Sequence, residues 1–385
     1  MKVALLNGEW YPNTGGGIVH VDELATRLAE NHNCDADIIV KENDVDDSFV
    51  YTSENVNLVQ ISTAISKFRP LNELQYILLI LKYVHKDDYD IVHAHTNVTA
   101  FPLQVLRIFD DSATVLTVHG ASLDFEVTYT GSILDSVYTS LRRMLLERFT
   151  YDGIISVSDE LADTLSKYHK KVEYIPNGVA VDDFPAPEDS GNKEILFVGR
   201  LRPKKNPVDI VEAMEEVTSD HPESSLHIVG TGPLEEEIIR TAVASEIEDS
   251  VTVHGRVSDE ELHDLYRRCS ILVLPSKWEG HPLVLLEAWA AGMIVIGTNV
   301  EGIREFLSDK RFGKLVSLND PDELASAINS SLAQPAALNE NGTEARRFVR
   351  EKYDWDATVS QTYYLYKELV TDVGKSETEK HGTVR

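Results

Sequence analysis

The stretch that decides the fold is residues 274–289, Leu-Pro-Ser-Lys-Trp-Glu-Gly-His-Pro-Leu-Val-Leu-Leu-Glu-Ala-Trp. It begins at the end of an apolar run, residues 271–274, which has the length and composition of a buried strand. Pro275 ends this strand, and a short loop follows. An apolar helix then begins at Pro282, because proline suits the first helical position. The order predicts a strand whose carboxyl end leads through a loop into the N-terminus of a helix.

This helix start is suited to binding an anion. The N–H groups of its first turn, those of Leu283, Val284 and Leu285, have no partner within the helix and carry the positive end of its dipole. Glu279 lies before the turn and Glu287 about one turn inside it. Each carboxylate can accept two hydrogen bonds from a vicinal diol, so the layout fits the diphosphate, ribose and sugar of a nucleotide sugar. Two solvated glutamates would be the alternative interpretation.

The residues around these glutamates resemble a known signature. Ser-x-x-Glu-Gly at residues 276–280 and Leu-Glu-Ala-x-Ala-x-Gly at 286–292 are similar to the donor-site motif of the retaining glycosyltransferases of family 4. The resemblance implies a GT-B fold of the α/β class, with two facing Rossmann-like domains, a cleft between them and a C-terminal helix that crosses back to the N-terminal domain. It also implies that Glu279 binds donor sugar hydroxyls. The resemblance likewise implies that Gly280 and His281 contact the donor. The chain departs from the family's usual Glu-Gly-Phe-Gly at His281 and Pro282.

The composition narrows the class of protein further. A chain of 385 residues with 42% hydrophobic residues has the size of two domains. With 36 Lys and Arg against 64 Asp and Glu, its net charge of −28 would repel nucleic acid. We expect an acidic surface of the kind suited to a high-salt cytoplasm, where salt screens self-repulsion.

The cellular setting follows from what the sequence contains. Cys34 and Cys269 have no metal-like spacing, and a reducing cytosol is their simplest context. We expect neither a signal peptide nor a spanning helix, since no apolar run reaches about 20 residues. Residues 140–149 combine three arginines with apolar residues; this pattern suits an ordinary amphipathic helix or one that docks on lipid head groups. The sequence therefore predicts a cytoplasmic protein, with the inner membrane surface as a candidate place of work.

The first half opens with a βαβ pattern. The strand at residues 3–6 is followed by three glycines at 15–17, by apolar residues at helical spacing, and by a strand at 36–40. The glycine loop then lies at the carboxyl edge of the sheet, where ligands bind in such folds. A plain turn is the alternative. The family resemblance implies that Gly16 and Gly17 lie against the donor diphosphate and the acceptor.

Three histidines follow predicted strands. His93 and His95 share one strand face, which would suit a metal, but no third ligand lies near them in sequence, so we expect a structural or cleft-lining role and no metal site. His119 ends the next strand, after residues 114–118. It would suit a core position, but it also matches the family's T-x-H position, which implies a catalytic role near the donor sugar and the reacting bond.

The second half carries a cationic loop after the strand at residues 195–198. Gly-Arg-Leu-Arg-Pro-Lys-Lys-Asn at 199–206 resembles the family's G-R-L-x-x-x-K-G/N motif. The resemblance implies that Arg200 and Lys205 hold the donor diphosphate, Arg as a planar fork and Lys as a mobile point charge. A basic surface loop is the alternative.

Two later loops complete the resemblance. Gly230 and Gly232 belong to a G-x-G-P pattern that borders the nucleotide in the family. Val257 follows the next strand, where the family places backbone contacts to the base. Only the family resemblance implies that these three residues bind the donor.

The predicted organisation has four parts. Residues 1–183 form the N-terminal acceptor-side domain, which residues 355–373 join as the crossing helix. A linker at 184–192 leads to the nucleotide-sugar domain at 193–354, and 374–385 is expected to be a disordered tail.

The sequence thus predicts a retaining, metal-independent hexosyltransferase. It would move a sugar from a UDP- or GDP-linked donor to a glycan or lipid-linked acceptor, with no cofactor and with His119, Glu279, Arg200 and Lys205 as its catalytic residues. Retention is implied by the resemblance alone, and metal independence also by the lack of D-x-D in a plausible donor loop. A GT-B nucleotide-sugar epimerase and a non-catalytic nucleotide-sugar-binding protein remain as alternatives.

Overall fold

The computed structural model describes residues 1–8, 16–41, 55–62, 69–95, 97–120, 147–184, 192–308 and 311–381. The chain forms two compact units, Met1–Asn177 together with Trp355–Arg385, and Gly178–Asp354. The chain therefore leaves the first unit after Asn177 and returns to it at Trp355. The sequence placed the first passage at 184–192, of which 185–191 lie outside the described residues, so the linker bounds stay a prediction.

The described part of the first unit contains one sheet of seven parallel strands in the order β3-β2-β1-β4-β5-β6-β7. The strands are β1 Lys2–Leu6, β2 Asp35–Lys41, β3 Val56–Ile61, β4 Ile91–Ala94, β5 Ala113–Val118, β6 Gly153–Ser156 and β7 Val172–Tyr174. The central strands are almost wholly apolar, as expected of a parallel sheet that helices cover on both faces.

Helices are numbered in chain order. Those in the described part of the first unit are α1 Gly16–His32, α2 Arg69–Val84, α3 Asn97–Phe109, α4 Asp159–Leu165 and α12 Trp355–His381, the last in chain order. Helix α1 buries Val21, Leu24 and Leu28 at the predicted helical spacing. Helix α12 adds Tyr366 to the same core, so the C-terminal helix returns to the first unit, as predicted. It continues to His381, past the end that the sequence predicted at residue 373.

The second unit repeats the design. Its described residues contain one sheet of six parallel strands in the order β10-β9-β8-β11-β12-β13. The strands are β8 Glu194–Val198, β9 Ser225–Val229, β10 Val251–Gly255, β11 Ile271–Leu274, β12 Ile294–Thr298 and β13 Gly313–Val316. The helices are α5 Pro207–Asp220, α6 Glu235–Ala244, α7 Asp259–Arg268, α8 Leu283–Ala290, α9 Arg304–Leu307, α10 Pro321–Leu332 and α11 Pro335–Lys352.

Both sheets reverse their strand order at one place. In the first sheet β1 lies beside β4, and in the second β8 lies beside β11. The loops that leave two such strands run in opposite directions, which opens a crevice at the carboxyl edge of the sheet, the usual ligand position in this architecture. The strand orders therefore direct attention to the residues that follow β1 and β4, and to those that follow β8 and β11.

No helix in the described ranges is both long enough and apolar enough to cross a bilayer. Most of the basic segment predicted at 140–149 lies outside the described residues, so its contact with lipid stays a prediction.

The contact of Tyr366 with His93 offers a test of how α12 is held. The phenol oxygen lies 2.5 Å from Nδ1 of His93, whose Nε2 lies 2.7 Å from the Thr117 hydroxyl, and all three side chains are buried. We expect Tyr366→Phe to lower the free energy of unfolding by about 1–3 kcal/mol, because a buried ring nitrogen loses its partner. Chemical denaturation measures this. Tyr364→Phe is the control, since Tyr364 on the same helix is 65% exposed; equal losses for the two variants would contradict the assignment.

Candidate functional site

The loops that follow β8 and β11 lie side by side. The N–H of Lys277 in the second loop donates to the carbonyl of Lys204 in the first, at 2.9 Å. The ammonium of Lys204 also lies over the ring of Trp278, 3.1 Å from its centroid. A backbone hydrogen bond and a cation–π contact thus fix the two loops against each other at the point where the strand order reverses.

A buried ion pair joins the same two loops. Nζ of Lys205 lies 2.5 Å from Oε1 of Glu279, whose side chain is 6% exposed. The hydroxyl of Ser276 donates to the same oxygen at 2.6 Å. The hydroxyl of Thr298, at the end of β12, donates to the Ser276 carbonyl. The Glu279 carboxylate is therefore held by the cationic loop, by its own loop and, through Ser276, by the neighbouring strand.

The surroundings keep Glu279 ionised. Burial, the largest single effect, raises the pKa of Glu279, but the charges of Lys205 and Lys204 and the hydrogen bonds from Lys205 and Ser276 together outweigh it. The net pKa of Glu279 lies below the ordinary glutamate value. At neutral pH the group is a fixed carboxylate that accepts hydrogen bonds, which suits the recognition of hydroxyl groups.

Glycines let neighbouring backbone approach the site. Gly302 has a φ of +79°, and a Cβ there would collide with the carbonyl oxygens of Glu279 and Gly280. Gly230 has a φ of +133°, and a Cβ there would collide with the Gly199 carbonyl. Both positions require glycine for conformation and for space. The loop that contains Gly302 therefore supports the backbone of Glu279, a contact that the sequence did not reveal.

Gly232 is packed in a similar way, since a Cβ there would collide with the backbone of Leu201. The N–H of Leu201 donates to the Thr231 carbonyl at 3.0 Å, so the loops after β8 and β9 are bonded together. Close packing against the backbone of the loop after β8 therefore explains both glycines of the predicted G-x-G-P pattern. Their contact with a nucleotide stays a prediction.

The helix after Glu279 begins one residue later than the sequence predicted. Pro282 is the N-cap of α8, and Leu283 is its first helical residue. The N–H of Leu285 donates to the Pro282 carbonyl at 3.0 Å and is therefore used within the turn. Leu283 and Val284 supply the N–H groups at the start of the helix, where an anion would bind.

Glu287 has a different environment from Glu279. The hydroxyl of Tyr266, on α7, donates to Oε2 of Glu287 at 2.6 Å. Burial raises the pKa of Glu287, and the hydrogen bond from Tyr266 opposes part of that rise. Tyr266 is fully buried, so it fixes the orientation of the carboxylate. The sequence assigned Glu287 to the donor but could not show which side chain holds it.

The remaining predicted donor residues differ in exposure. Arg200 is exposed at the start of its loop, and Val257 is half-buried after β10. His281 is 7% exposed. Its ring packs edge to face against Phe306, with 4.6 Å between the ring centroids, and lies 5.9 Å from Tyr353. The structure therefore brings Lys205 and Glu279 into contact and places the His281 side chain in an aromatic cluster.

In the first unit, three histidines meet at the other reversal of strand order. His95 follows β4, His119 follows β5, and His20 lies on α1, the helix that Gly16 and Gly17 begin. Nδ1 of His95 lies 3.3 Å from Nε2 of His119. The ring centroid of His20 lies 5.3 Å from that of His95 and 4.8 Å from that of His119. The sequence predicted His119 as catalytic and His95 as structural or cleft-lining.

His20 was not predicted as a functional residue from the sequence. Its position among the buried apolar residues Ile18, Val21 and Leu24 of α1 is the signal that marks it, because a polar side chain on a buried face needs a partner. Its Nδ1 lies 2.8 Å from Oδ1 of Asn177, which belongs to the same unit.

Burial keeps two of the three histidines neutral. It lowers the pKa of His20 to about 4, although the hydrogen bond with Asn177 opposes the shift. Burial also lowers the pKa of His95 well below the ordinary value, and the neighbouring His93, His20 and His119 lower it further. His20 and His95 are therefore uncharged imidazoles at neutral pH.

Comparison with known proteins assigns a family to this arrangement. The model of Glycosyltransferase Family 4 matches residues 14–183, and that of Glycosyl transferases group 1 matches residues 180–348. Together they span residues 14–348, which include strands of both sheets. The chain is therefore a glycosyltransferase of the family 4 type with a GT-B fold of two Rossmann-like domains.

Individual relatives agree with this family. Glycogen synthase of Mycobacterium tuberculosis is 28% identical over 72% of this chain and 68% of its own. The Escherichia coli UDP-Gal:alpha-D-GlcNAc-diphosphoundecaprenol alpha-1,3-galactosyltransferase is 26% identical over 92% and 95%. The structure of sucrose-phosphate synthase from Thermosynechococcus elongatus superposes with a TM-score of 0.82 at 22% identity, over 96% of this chain and 99% of the other; this likeness concerns the fold.

The two glutamates should respond to pH in opposite directions. Because the folded-state pKa of Glu279 is lowered, its ionisation stabilises the fold at neutral pH. This contribution is lost as pH falls from about 4.3, the value in an unfolded chain, through the lower pKa of the folded chain. We therefore expect the thermal midpoint of the wild type to exceed that of Glu279→Gln at neutral pH, and this difference to shrink as pH falls.

Glu287→Gln is the matched control for this measurement. The pKa of Glu287 is raised in the folded chain, so the wild type should gain stability relative to this variant as pH falls through that pKa. The same trend for both variants would contradict the two assigned environments.

Proposed function

We propose that the chain transfers a hexose, with retention and without a metal ion, from a UDP- or GDP-linked sugar to a glycan or lipid-linked acceptor. The observation that carries this proposal is the buried Lys205–Glu279 pair, which joins the two loops at the strand reversal of the second sheet. It places a cation and a fixed carboxylate beside the start of α8. This combination matches a diphosphate that is bonded to a sugar.

The cations would stabilise the leaving group. When the glycosidic bond breaks, negative charge grows on the diphosphate. Arg200, Lys205 and the first N–H groups of α8 would meet this charge, and one such preorganised group is worth about 2.7–4 kcal/mol of barrier. Because protein cations can supply the charge that a divalent ion supplies elsewhere, this arrangement supports a metal-independent reaction.

The carboxylates would orient the donor. Glu279 stays ionised and would accept hydrogen bonds from sugar hydroxyls, whereas Glu287 would accept them from the ribose diol. Tyr266 occupies one oxygen of Glu287 and leaves the other for the ligand. The two acids thus differ in role because they differ in surroundings.

The position of Glu279 supports retention without a covalent intermediate. A nucleophilic carboxylate must approach the anomeric carbon, but Oε1 of Glu279 already lies against Lys205 and Ser276. We therefore favour attack by the acceptor hydroxyl on the face that the diphosphate leaves, with the departing phosphate oxygen accepting the acceptor proton. His119 would lie near the donor sugar, as the family resemblance implies.

The relatives' names support a nucleotide sugar and a lipid-linked acceptor. The galactosyltransferase of Escherichia coli takes UDP-Gal and a diphosphoundecaprenol-linked sugar according to its name. We extend the class of donor to this chain, together with a glycan or lipid-linked acceptor. A cytoplasmic place of work, at or near the inner membrane surface, belongs to the same proposal.

The experiment is a donor panel with mass spectrometry of the products. The purified chain is incubated with UDP- and GDP-sugars and a cell lipid extract, with and without EDTA. A lipid or glycan product that gains one hexose, at an EDTA-resistant rate, is the expected result. Conversion of a donor to its isomer without acceptor would instead identify an epimerase, and donor binding without any product would identify a non-catalytic protein.

Glu279 gives the sharpest mutational test. We expect Glu279→Ala to lower kcat about a hundredfold or more, the scale of losing one transition-state contact, with the fold retained by circular dichroism. Glu216→Ala is the control, because Glu216 is an exposed glutamate on α5 of the same unit. Near-normal turnover in Glu279→Ala would refute the role assigned to this residue.

A further inference from the structure

We propose that His20, His95 and His119 form a binding site for a divalent transition-metal ion of the zinc type. In the sequence, His93 and His95 have no third metal ligand near them. The fold supplies the missing ligands from elsewhere in the chain, since α1 brings His20 and the end of β5 brings His119 to His95.

The distances fit a single ion. Each of the three histidines offers one ring nitrogen, and the three nitrogens lie within 4.8 Å of one another. Nδ1 of His95 and Nε2 of His119 are 3.3 Å apart. Zinc–nitrogen bonds of about 2.0–2.1 Å in a tetrahedral site put two ligand nitrogens about 3.3 Å apart. The pair already has the spacing of two ligands, and the His20 nitrogen lies within 4.8 Å of both.

Asn177 lies where it can orient the His20 ring without itself binding the metal. Nδ1 of His20 lies 2.8 Å from the side-chain oxygen of Asn177. An amide oxygen accepts a hydrogen bond, so Nδ1 carries the proton and Nε2 carries the lone pair. Histidines that bind metals are commonly held in one tautomer in this way by an oxygen on the far side of the ring.

His95 is the second indication of a ligand. Its Nε2 is buried and has no hydrogen-bond partner among the described residues, and an unsatisfied buried polar group costs about 1–3 kcal/mol. No contact in that part of the chain fixes which ring nitrogen carries the proton. The nitrogen that faces the site is Nδ1, which lies 3.3 Å from Nε2 of His119. The ring therefore presents a lone pair to an ion between His20 and His119 when its proton lies on Nε2.

His93 does not belong to the site. Its ring lies 4.1 Å from that of His95, but both of its nitrogens are engaged, by the hydroxyls of Tyr366 and Thr117. It is a satisfied core histidine that packs beneath the proposed ligands.

A second cluster in the chain provides a contrast. Glu194, His227 and Cys269 also lie close together in the second unit. The Glu194 carboxylate is neutralised by Arg268 at 2.8 Å, and burial raises the pKa of Cys269, so its thiol stays protonated. A protonated thiol and an engaged carboxylate make a poor metal site. This cluster serves as the internal control.

The proposed site affects sugar transfer through His119. Three nitrogen ligands leave a fourth position of the ion for water or an oxygen ligand. An ion bound to Nε2 of His119 would compete with the contact that His119 makes in the reaction, so zinc should inhibit transfer and EDTA should relieve the inhibition. This consequence rests on the proposed function, whereas the metal site itself does not.

The test is a titration of the full chain with Co²⁺ and Zn²⁺ after dialysis against EDTA, without donor or acceptor. We expect one equivalent of Co²⁺ to produce the visible absorption bands of a tetrahedral site, which Zn²⁺ then removes. His119→Ala should weaken binding more than about tenfold, and Asn177→Ala about tenfold, the cost of losing an outer-shell partner. Cys269→Ser and His85→Ala, the latter altering a histidine whose side chain is 69% exposed, should bind like the wild type.

Circular dichroism and the thermal midpoint establish that each variant is folded. If His119→Ala does not fold, His20→Gln and Asn177→Ala carry the same test. The proposal is overturned if the wild type binds no equivalent of Co²⁺, if the folded histidine variants bind it as tightly as the wild type, or if Cys269→Ser abolishes binding. Because no step of this titration involves sugar transfer, a chain that binds the metal but transfers no sugar would refute only the proposed function.

Discussion

The ion pair between Lys205 and Glu279 is the interaction on which the candidate donor site depends. A buried carboxylate is costly unless a cation and hydrogen bonds satisfy it, and here Lys205 and Ser276 do so. The pair forms only because β8 and β11 are neighbours at the reversal of strand order. The sheet thus determines which loops meet, and the ion pair determines the position of the carboxylate within them.

The same reversal of strand order brings different kinds of side chain together in the two units. In each sheet, loops that leave adjacent strands in opposite directions bring side chains from distant parts of the sequence together. The second unit collects charged groups and a helix start, which suit a diphosphate and hydroxyls. The first unit collects neutral imidazoles, because burial lowers the pKa values of His20 and His95 and the neighbouring histidines lower that of His95 further. Under the two proposals above, one fold would bind an anion in one unit and a metal ion in the other.

Elements that depend on neighbouring residues could be predicted from the sequence, whereas contacts between residues far apart in the sequence could not. The strand at 271–274 and the loop and helix after it follow from hydrophobic pattern and proline, with an error of one residue at Pro282. The support from Tyr266 and Gly302 could not be predicted, because both reach the site through packing between elements that no local pattern encodes. His20 was missed for a related reason: the periodicity of α1 indicates a buried face but not what that face contacts.

The central claim is that Lys205 and its loop bind the diphosphate of the donor. Isothermal titration of the wild type with UDP, UMP, GDP and GMP tests it most directly, together with Lys205→Ala/Glu279→Gln, a variant that leaves no unpaired buried charge. We predict that the wild type prefers one diphosphate over its monophosphate and that this preference falls about tenfold or more in the double variant, since a charged hydrogen bond is worth about 1.5–3 kcal/mol. An unchanged preference in the double variant would contradict the account.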